Sequence, residues 1–171
     1  VVGPAHHGLP ERDFGAARYK RDAAKAVVVK PAAKMGHRPA VIAAAALDRQ
    51  HPRDLFDVWQ LYESGDISDG MVECFVIYLA GHNRPPHEVL FGNDKDIAGE
   101  YERAFVGMTE VDCSLETLLD ARARMRRELP QRLSTAHRQF LSGLARAEPD
   151  WSLVQCQHAA QLPALRWKLA N

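Results

Sequence analysis

From Val41 to the end of the chain, apolar side chains recur every three or four residues in short segments separated by residues that start or stop helices. In the segment 52–63, one helical face carries Leu55, Val58, Trp59 and Tyr62. Pro52 suits the first helical position, and Gly65 ends the segment. A strand would alternate apolar and polar side chains, so this period predicts helices.

The other periodic segments resemble the first, and several begin at residues that commonly cap helices. Helices are predicted at 41–49, from Ser68 or Asp69, from Asn93 or Asp94, from Ser114, from Ser134, and as a last turn or two at 165–169. Their inward side chains are expected to be Val72, Phe75, Val76 and Leu79; Ile97, Tyr101 and Phe105; Leu115, Leu118, Leu119 and Met125; and Phe140, Leu141 and Leu144. Because the connections are short, we predict a mainly α fold, an antiparallel helical bundle over residues 41–171.

Residues 1–40 differ from the rest of the chain. They contain eight Lys and Arg side chains against three Asp and Glu, a net charge of +5 that leaves −5 for the rest of a neutral chain. We interpret them as a poorly defined basic segment that is disordered. A nucleic-acid-binding arm is the alternative interpretation.

The cysteines Cys74, Cys113 and Cys156 lie about forty residues apart. An odd, scattered set argues against a disulfide framework and against a cysteine zinc site. No apolar stretch is long enough to span a bilayer, and the first ten residues lack the pattern of a signal peptide. We therefore expect a cytoplasmic protein without a membrane partner.

The segment around residues 49–57 contains the strongest candidates for catalytic and phosphate-binding residues. Asp54 and Asp57 lie three apart on one helix, so their carboxylates share a face, and Arg49 and Arg53 come just before them. Such carboxylates can orient a nucleophile or hold Mg²⁺, while guanidinium groups grip phosphate oxygens. The alternative is purely structural: Asp54 complements the helix dipole, and Arg53 pairs with Asp57 at the surface.

The phrase ALDRQHPRDLFDV resembles the helical half of the nucleotidyltransferase AbiEii/AbiGii toxin family, the toxins of type IV toxin–antitoxin systems. The later phrases HNRPPHEVL, FVGMTE and EPDWSL resemble one branch of that family, so the resemblance covers residues 41–171. It implies Mg²⁺-dependent transfer of a nucleotide from an NTP to an RNA or protein acceptor, and a cognate antitoxin as partner. Arg53, Asp54 and Asp57 match the family's Arg-Asp-x-x-Asp segment.

The chain departs from the family pattern in two places that bear on activity: in the motifs for triphosphate and metal, and in the helix before the Arg-Asp-x-x-Asp segment. The chain contains no Gly-Ser dipeptide, which the family uses to bind the triphosphate. Its one Asp-x-Asp, Asp94-Lys95-Asp96, directly follows Gly92-Asn93 and is interpreted as a capped helix start rather than a metal-binding strand. The family's lysine before the motif corresponds to Ile42, which cannot hold a phosphate.

These observations predict a partial nucleotidyltransferase-type toxin that is inactive alone. In it, Asp54 and Asp57 orient the acceptor or metal, and Arg49 and Arg53 bind phosphate, with tRNA or another nucleic acid as the acceptor. The alternative function is a non-enzymatic helical module that binds a protein partner or nucleic acid, and a remnant without function is a third. No metal site is assigned from this chain, since Pro85-Pro86 breaks the helical register between His82 and His87.

Overall fold

The computed structural model describes residues 37–65 and 67–171. Over these residues the chain forms helices and no strand, which confirms the predicted mainly α, antiparallel bundle. The helices are α1 (His37–Arg49), α2 (Pro52–Ser64), α3 (Asp69–Ala80), α4 (Pro86–Phe91), α5 (Ala98–Ala104), α6 (Leu115–Arg132), α7 (Thr135–Ala145) and α8 (Pro163–Ala170). Two 3₁₀ turns, Trp151–Leu153 and Ala159–Gln161, lie between α7 and α8.

Helix α1 begins four residues earlier than predicted. The first of these residues is His37, and Ala40 is fully buried. The helix therefore extends into the segment 1–40 that was expected to be poorly defined. The remainder of that segment, residues 1–36, lies outside the described residues.

The centre of the core is the packing of α1 on α3. Alanine side chains give α1 a smooth buried face on which another helix can approach closely, and Leu47 completes that face. From α3 come the four predicted side chains, all at most 2% exposed: Val72, Phe75, Val76 and Leu79. Ser68 caps α3 by accepting a hydrogen bond from the backbone N–H of Met71, as predicted.

The long helix α6 closes the other side by packing on α2. Its side chains Leu118, Met125 and Leu129 are at most 1% exposed. Ser114 caps α6 and Ser134 caps α7, both as predicted. At α7 the cap is reciprocal, because the side chain of His137 accepts a hydrogen bond from the backbone N–H of Ser134.

The prediction between residues 81 and 97 was wrong in two respects. The six-residue helix α4 was not predicted, and α5 begins at Ala98 rather than at Asn93 or Asp94. Residues 92–97 instead form an irregular segment, held by tertiary contacts described below. Ile97 and Phe105 are nevertheless buried, and Tyr101 is half-buried with its hydroxyl donating to the carbonyl of Cys113.

Candidate active site

The link between α1 and α2 consists of Gln50 and His51, and the backbone and side chains of these two residues determine its conformation. Gln50 adopts a positive φ of 54°, which turns the chain sharply after α1. His51 then caps α2, since its Nδ1 accepts a hydrogen bond from the backbone N–H of Arg53. Pro52 fills the first helical position. The two helices therefore meet with Arg49 at the end of one and Asp54 in the first turn of the other.

The side chain of Gln50 is 3% exposed and holds this link to the irregular segment 92–97. Its Nε2 donates to the carbonyl of Asn93, and its Oε1 accepts from the backbone N–H of Lys95, both at 2.9 Å. Arg122 of α6 donates to the same Oε1 at 3.1 Å and to the Lys95 carbonyl at 2.8 Å. One buried side chain thus joins the α1–α2 link, the segment 92–97 and α6.

Asp54 lies beside Arg49. Nη2 of Arg49 donates to Oδ1 of Asp54 at 2.7 Å, and the Asp54 side chain is only 15% exposed. Oδ2 of the same carboxylate is buried without a hydrogen-bond partner. A buried acceptor left unpaired costs about 1–3 kcal/mol, so such atoms are uncommon away from functional sites.

Asp57 lies one turn further along α2, close enough to Asp54 for the two charges to interact. Burial raises the pKa of Asp57, and the neighbouring carboxylate of Asp54 raises it further. The guanidinium of Arg38, on α1, acts in the opposite direction. Asp57 therefore holds a proton more readily than an ordinary aspartate does.

The guanidinium of Arg53 contacts Met108 and forms no ion pair with Asp54 or Asp57. Its Nη2 donates to Sδ of Met108 at 2.7 Å, in the loop that follows α5. No ion pair joins Arg53 to Asp57, so the surface pair considered as a structural alternative is not formed. Three of the predicted residues, Arg49, Asp54 and Asp57, are thus brought together, and Arg53 lies at the same end of α2 with its guanidinium exposed.

The residues of this site lie within a region that matches a known protein family. The model of the nucleotidyl transferase AbiEii toxin of type IV toxin–antitoxin systems matches residues 40–171. The chain belongs to this family. No match was found among curated proteins or among solved structures. Membership in the AbiEii toxin family places the chain in the class of nucleotidyltransferase toxins and implies a cognate antitoxin.

The AbiEii match begins inside α1, so it includes Ile42. Ile42 is half-buried and packs against the edge of the core. The Asp-x-Asp of this chain lies in the irregular segment 92–97. Oδ1 of Asp94 is 2.9 Å from Nε of Arg126 and 3.6 Å from Nε of Arg122. Oδ1 of Asp96 accepts a hydrogen bond from the backbone N–H of Ala98. Asp96 thus accepts a hydrogen bond from the first residue of α5, while Asp94 forms ion pairs with two arginines of α6.

The described residues do not fit a magnesium site of their own. Among residues 37–65 and 67–171, no three acidic, histidine or cysteine side chains lie close enough together to hold a metal ion. Asp54 and Asp57 form only a pair, and Arg49 already neutralises one of them. The Mg²⁺ associated with the AbiEii family is therefore not assigned to these side chains.

Sequence reasoning missed Gln50, Arg122 and Arg38. Gln50 lies within the phrase ALDRQHPRDLFDV, but its burial and its positive φ cannot be predicted from the spacing of residues. Arg122 is separated from Gln50 by 72 positions, and only the folded chain brings them together. Among residues 37–65 and 67–171, no helix is both long and apolar enough to cross a membrane.

Proposed function

We propose that this chain supplies the helical wall of a nucleotidyltransferase toxin site, where Arg49 and Arg53 bind phosphate groups of an NTP. Asp54 and Asp57 orient the hydroxyl of an RNA acceptor such as tRNA, in the cytoplasm. The observation that carries the proposal is the contact of Arg49 with Asp54, beside the raised pKa of Asp57 and the unpaired Oδ2 of Asp54. One proposed phosphate ligand, Arg49, is thus adjacent to the two proposed proton acceptors, and Arg53 lies at the same end of α2.

The transfer itself is a substitution at the α-phosphorus. A bond forms between the acceptor oxygen and the α-phosphorus, the bond to the bridging oxygen breaks, and pyrophosphate leaves. The proton of the acceptor hydroxyl goes to a carboxylate, and Asp57 suits this role because its raised pKa makes it a stronger base than an ordinary aspartate. Arg49 and Arg53 would stabilise the charge on the phosphate oxygens.

Alone, the chain is expected to bind an NTP without transferring it. The full sequence has no Gly-Ser turn, and its Asp-x-Asp is held by Arg126 and by the start of α5. The groups that would position the triphosphate and its metal in the family are thus not provided by these residues. Binding and transfer can be measured separately.

Binding is tested by titrating ATP with Mg²⁺ into the protein and following backbone amide NMR shifts. Arg49→Gln and Arg53→Gln should each weaken binding about fivefold, which corresponds to about 1 kcal/mol for an exposed ionic contact. Arg146→Gln is the matched control, because Arg146 is exposed and its guanidinium donates to Ser142, away from the site. Equal affinity of all three variants would contradict the proposal.

Transfer is tested with labelled NTP, Mg²⁺ and a tRNA pool. We expect no incorporation by the chain alone. Incorporation that Asp57→Ala abolishes would show that the site assignment is right and the predicted inactivity wrong. Incorporation unaffected by Asp54→Ala and Asp57→Ala would overturn the assignment of these acids.

A second candidate is a non-enzymatic interaction module, and the loop after α5 favours it. Val106, Met108 and Val111 are 54–56% exposed, an unusual concentration of apolar surface in one loop. The partner in that case is the cognate antitoxin. Met108→Ser with Val111→Ser should then abolish co-purification with a co-expressed antitoxin, and unchanged co-purification would reject this surface.

A further inference from the structure

The loop between α5 and α6 encloses a groove of about 460 Å³. Its floor is aromatic and buried: Phe105 is 2% exposed, and the hydroxyl of Tyr101 donates to the carbonyl of Cys113 at 2.9 Å. Val106 forms part of its wall and is 56% exposed. The groove is therefore large enough for one bulky side chain and apolar enough to hold it.

Acidic side chains surround this groove. The segment 99–116 contains five acidic residues and one basic residue, a net charge of −4. The basic residue, Arg103, pairs with Glu100 at 3.4 Å. The other four acids are exposed and form no ion pair within the part of the chain that the structure describes: Glu102, Glu110, Asp112 and Glu116. Arg53 contacts Met108 on the same loop and reduces the net charge to −3. The groove therefore suits an apolar side chain that is accompanied by a cation.

Helix α8, which packs at the end of α3, presents this combination. Trp167 is 62% exposed, and its neighbour Arg166 is exposed as well. Residues 151–171 contain no acidic residue. The helix is fixed, since Leu165 is fully buried and Lys168 donates to the carbonyls of Ala80 and His82, at 3.1 and 2.8 Å. The indole of Trp167 therefore cannot enter the groove of its own chain.

We propose that Trp167 of one copy of this chain docks into the groove of a second copy, so that the protein associates with itself head to tail. The indole supplies the apolar side chain, and Arg166 supplies the cation that the surrounding acids attract. Because the two surfaces differ, each docked copy leaves one groove and one Trp167 open, and association continues beyond a dimer. Self-association does not depend on the function proposed above for Arg49 and Asp54.

Sedimentation velocity tests the proposal over a range of about 10 µM to about 1 mM, because one aromatic anchor and one ionic contact make a small interface of weak affinity. The weight-average mass of the unaltered protein should rise with concentration, with species larger than a dimer at the upper end. Trp167→Ser and Val106→Ser should each shift this rise to at least about fivefold higher concentration. Phe91→Ser is the matched control, because Phe91 is 68% exposed but lies on α4, and it should associate like the unaltered protein. Circular dichroism confirms that all variants are folded.

Mixing the two variants identifies the occupant of the groove. Val106→Ser retains Trp167, and Trp167→Ser retains the groove. An equimolar mixture should therefore form one-to-one pairs and nothing larger. Added salt should weaken these pairs, because Arg166 and the acids of the groove are exposed.

Several outcomes would overturn the proposal. A protein that stays monomeric at the highest concentration does so, as does association that survives either Trp167→Ser or Val106→Ser. Loss of association in Phe91→Ser would place the contact on another surface. If the protein is monomeric and Val106→Ser no longer co-purifies with a co-expressed antitoxin, the groove binds that partner rather than a second copy.

Discussion

The carboxylate of Glu73 on α3 contacts Nε2 of His137 on α7 at 2.8 Å, and both side chains are almost fully buried. Because Nδ1 of His137 accepts from the backbone N–H of Ser134, the ring must carry its proton on Nε2 and donate it to Glu73. The other carboxylate oxygen accepts from the backbone N–H of Gln155. Glu73 therefore ties α3 to α7 and to the 3₁₀ region.

Glu73→Ala is expected to lower the free energy of unfolding by about 2–4 kcal/mol, because it leaves the largely buried Nε2–H of His137 and the backbone N–H of Gln155 without an acceptor. Urea denaturation followed by circular dichroism measures this change. Arg103→Ala is the control: its exposed pair with Glu100 at 3.4 Å should contribute less than about 0.5 kcal/mol. Equal effects of the two substitutions would contradict the role assigned to Glu73.

Gln50 combines a hydrogen-bonding role with a left-handed backbone, and two substitutions separate these effects. Gln50→Ala and Gln50→Gly both remove the contacts with Asn93, Lys95 and Arg122. Glycine tolerates the φ of 54° without the steric cost that alanine pays, so Gln50→Gly should be the more stable variant by about 1 kcal/mol. Both should be less stable than the unaltered protein in urea denaturation. A less stable glycine variant would show that the backbone is not strained there.

Most helices could be predicted because their signals are local. Each of Ser68, Ser114 and Ser134 caps a helix whose inward residues follow the expected spacing. These features depend on residues within a turn or two of one another. The buried residues Phe75, Leu118 and Phe140 were identified correctly for the same reason.

The segment 92–97 could not be predicted because distant residues hold it. Asn93 and Lys95 bind Gln50, more than forty positions earlier, and Asp94 contacts Arg126. These tertiary contacts outweigh the tendency of Asn and Asp to start a helix. The candidate site shows the same division: the spacing placed Asp54 and Asp57 on one face of a helix, whereas the ion pair of Arg49 with Asp54 and the influence of the Arg38 charge on Asp57 required the folded chain.

Asp57 should make stability depend on pH in a defined direction. Its pKa is raised in the folded protein, so folding favours the protonated form; the associated stabilisation is present below the ordinary pKa of 3.8 and is lost as the pH rises through the folded value. Asp57→Asn should therefore increase the stability relative to the unaltered protein at pH 7, and the gain should shrink as the pH falls toward 3.8. Urea denaturation across this range measures it. Asp120→Asn, at an exposed position of α6, should show no such trend.

Ile42→Lys tests whether the exposed side of α1 is a phosphate-binding surface. The new ammonium would lie about two helical turns before Arg49 on the same side of α1, at the position where the family pattern has a lysine, and would add a positive charge there. Tripolyphosphate affinity should increase at least about fivefold, as expected for one added charge contact. Because Ile42 packs against the core edge, Ile42→Gln is the control that removes the apolar side chain without adding charge. The gain should also decrease steeply with added salt, since both partners are exposed. An equal affinity of the lysine and glutamine variants would mean that polyphosphate does not bind along this side of α1, whatever Arg49 and Arg53 contribute near its end.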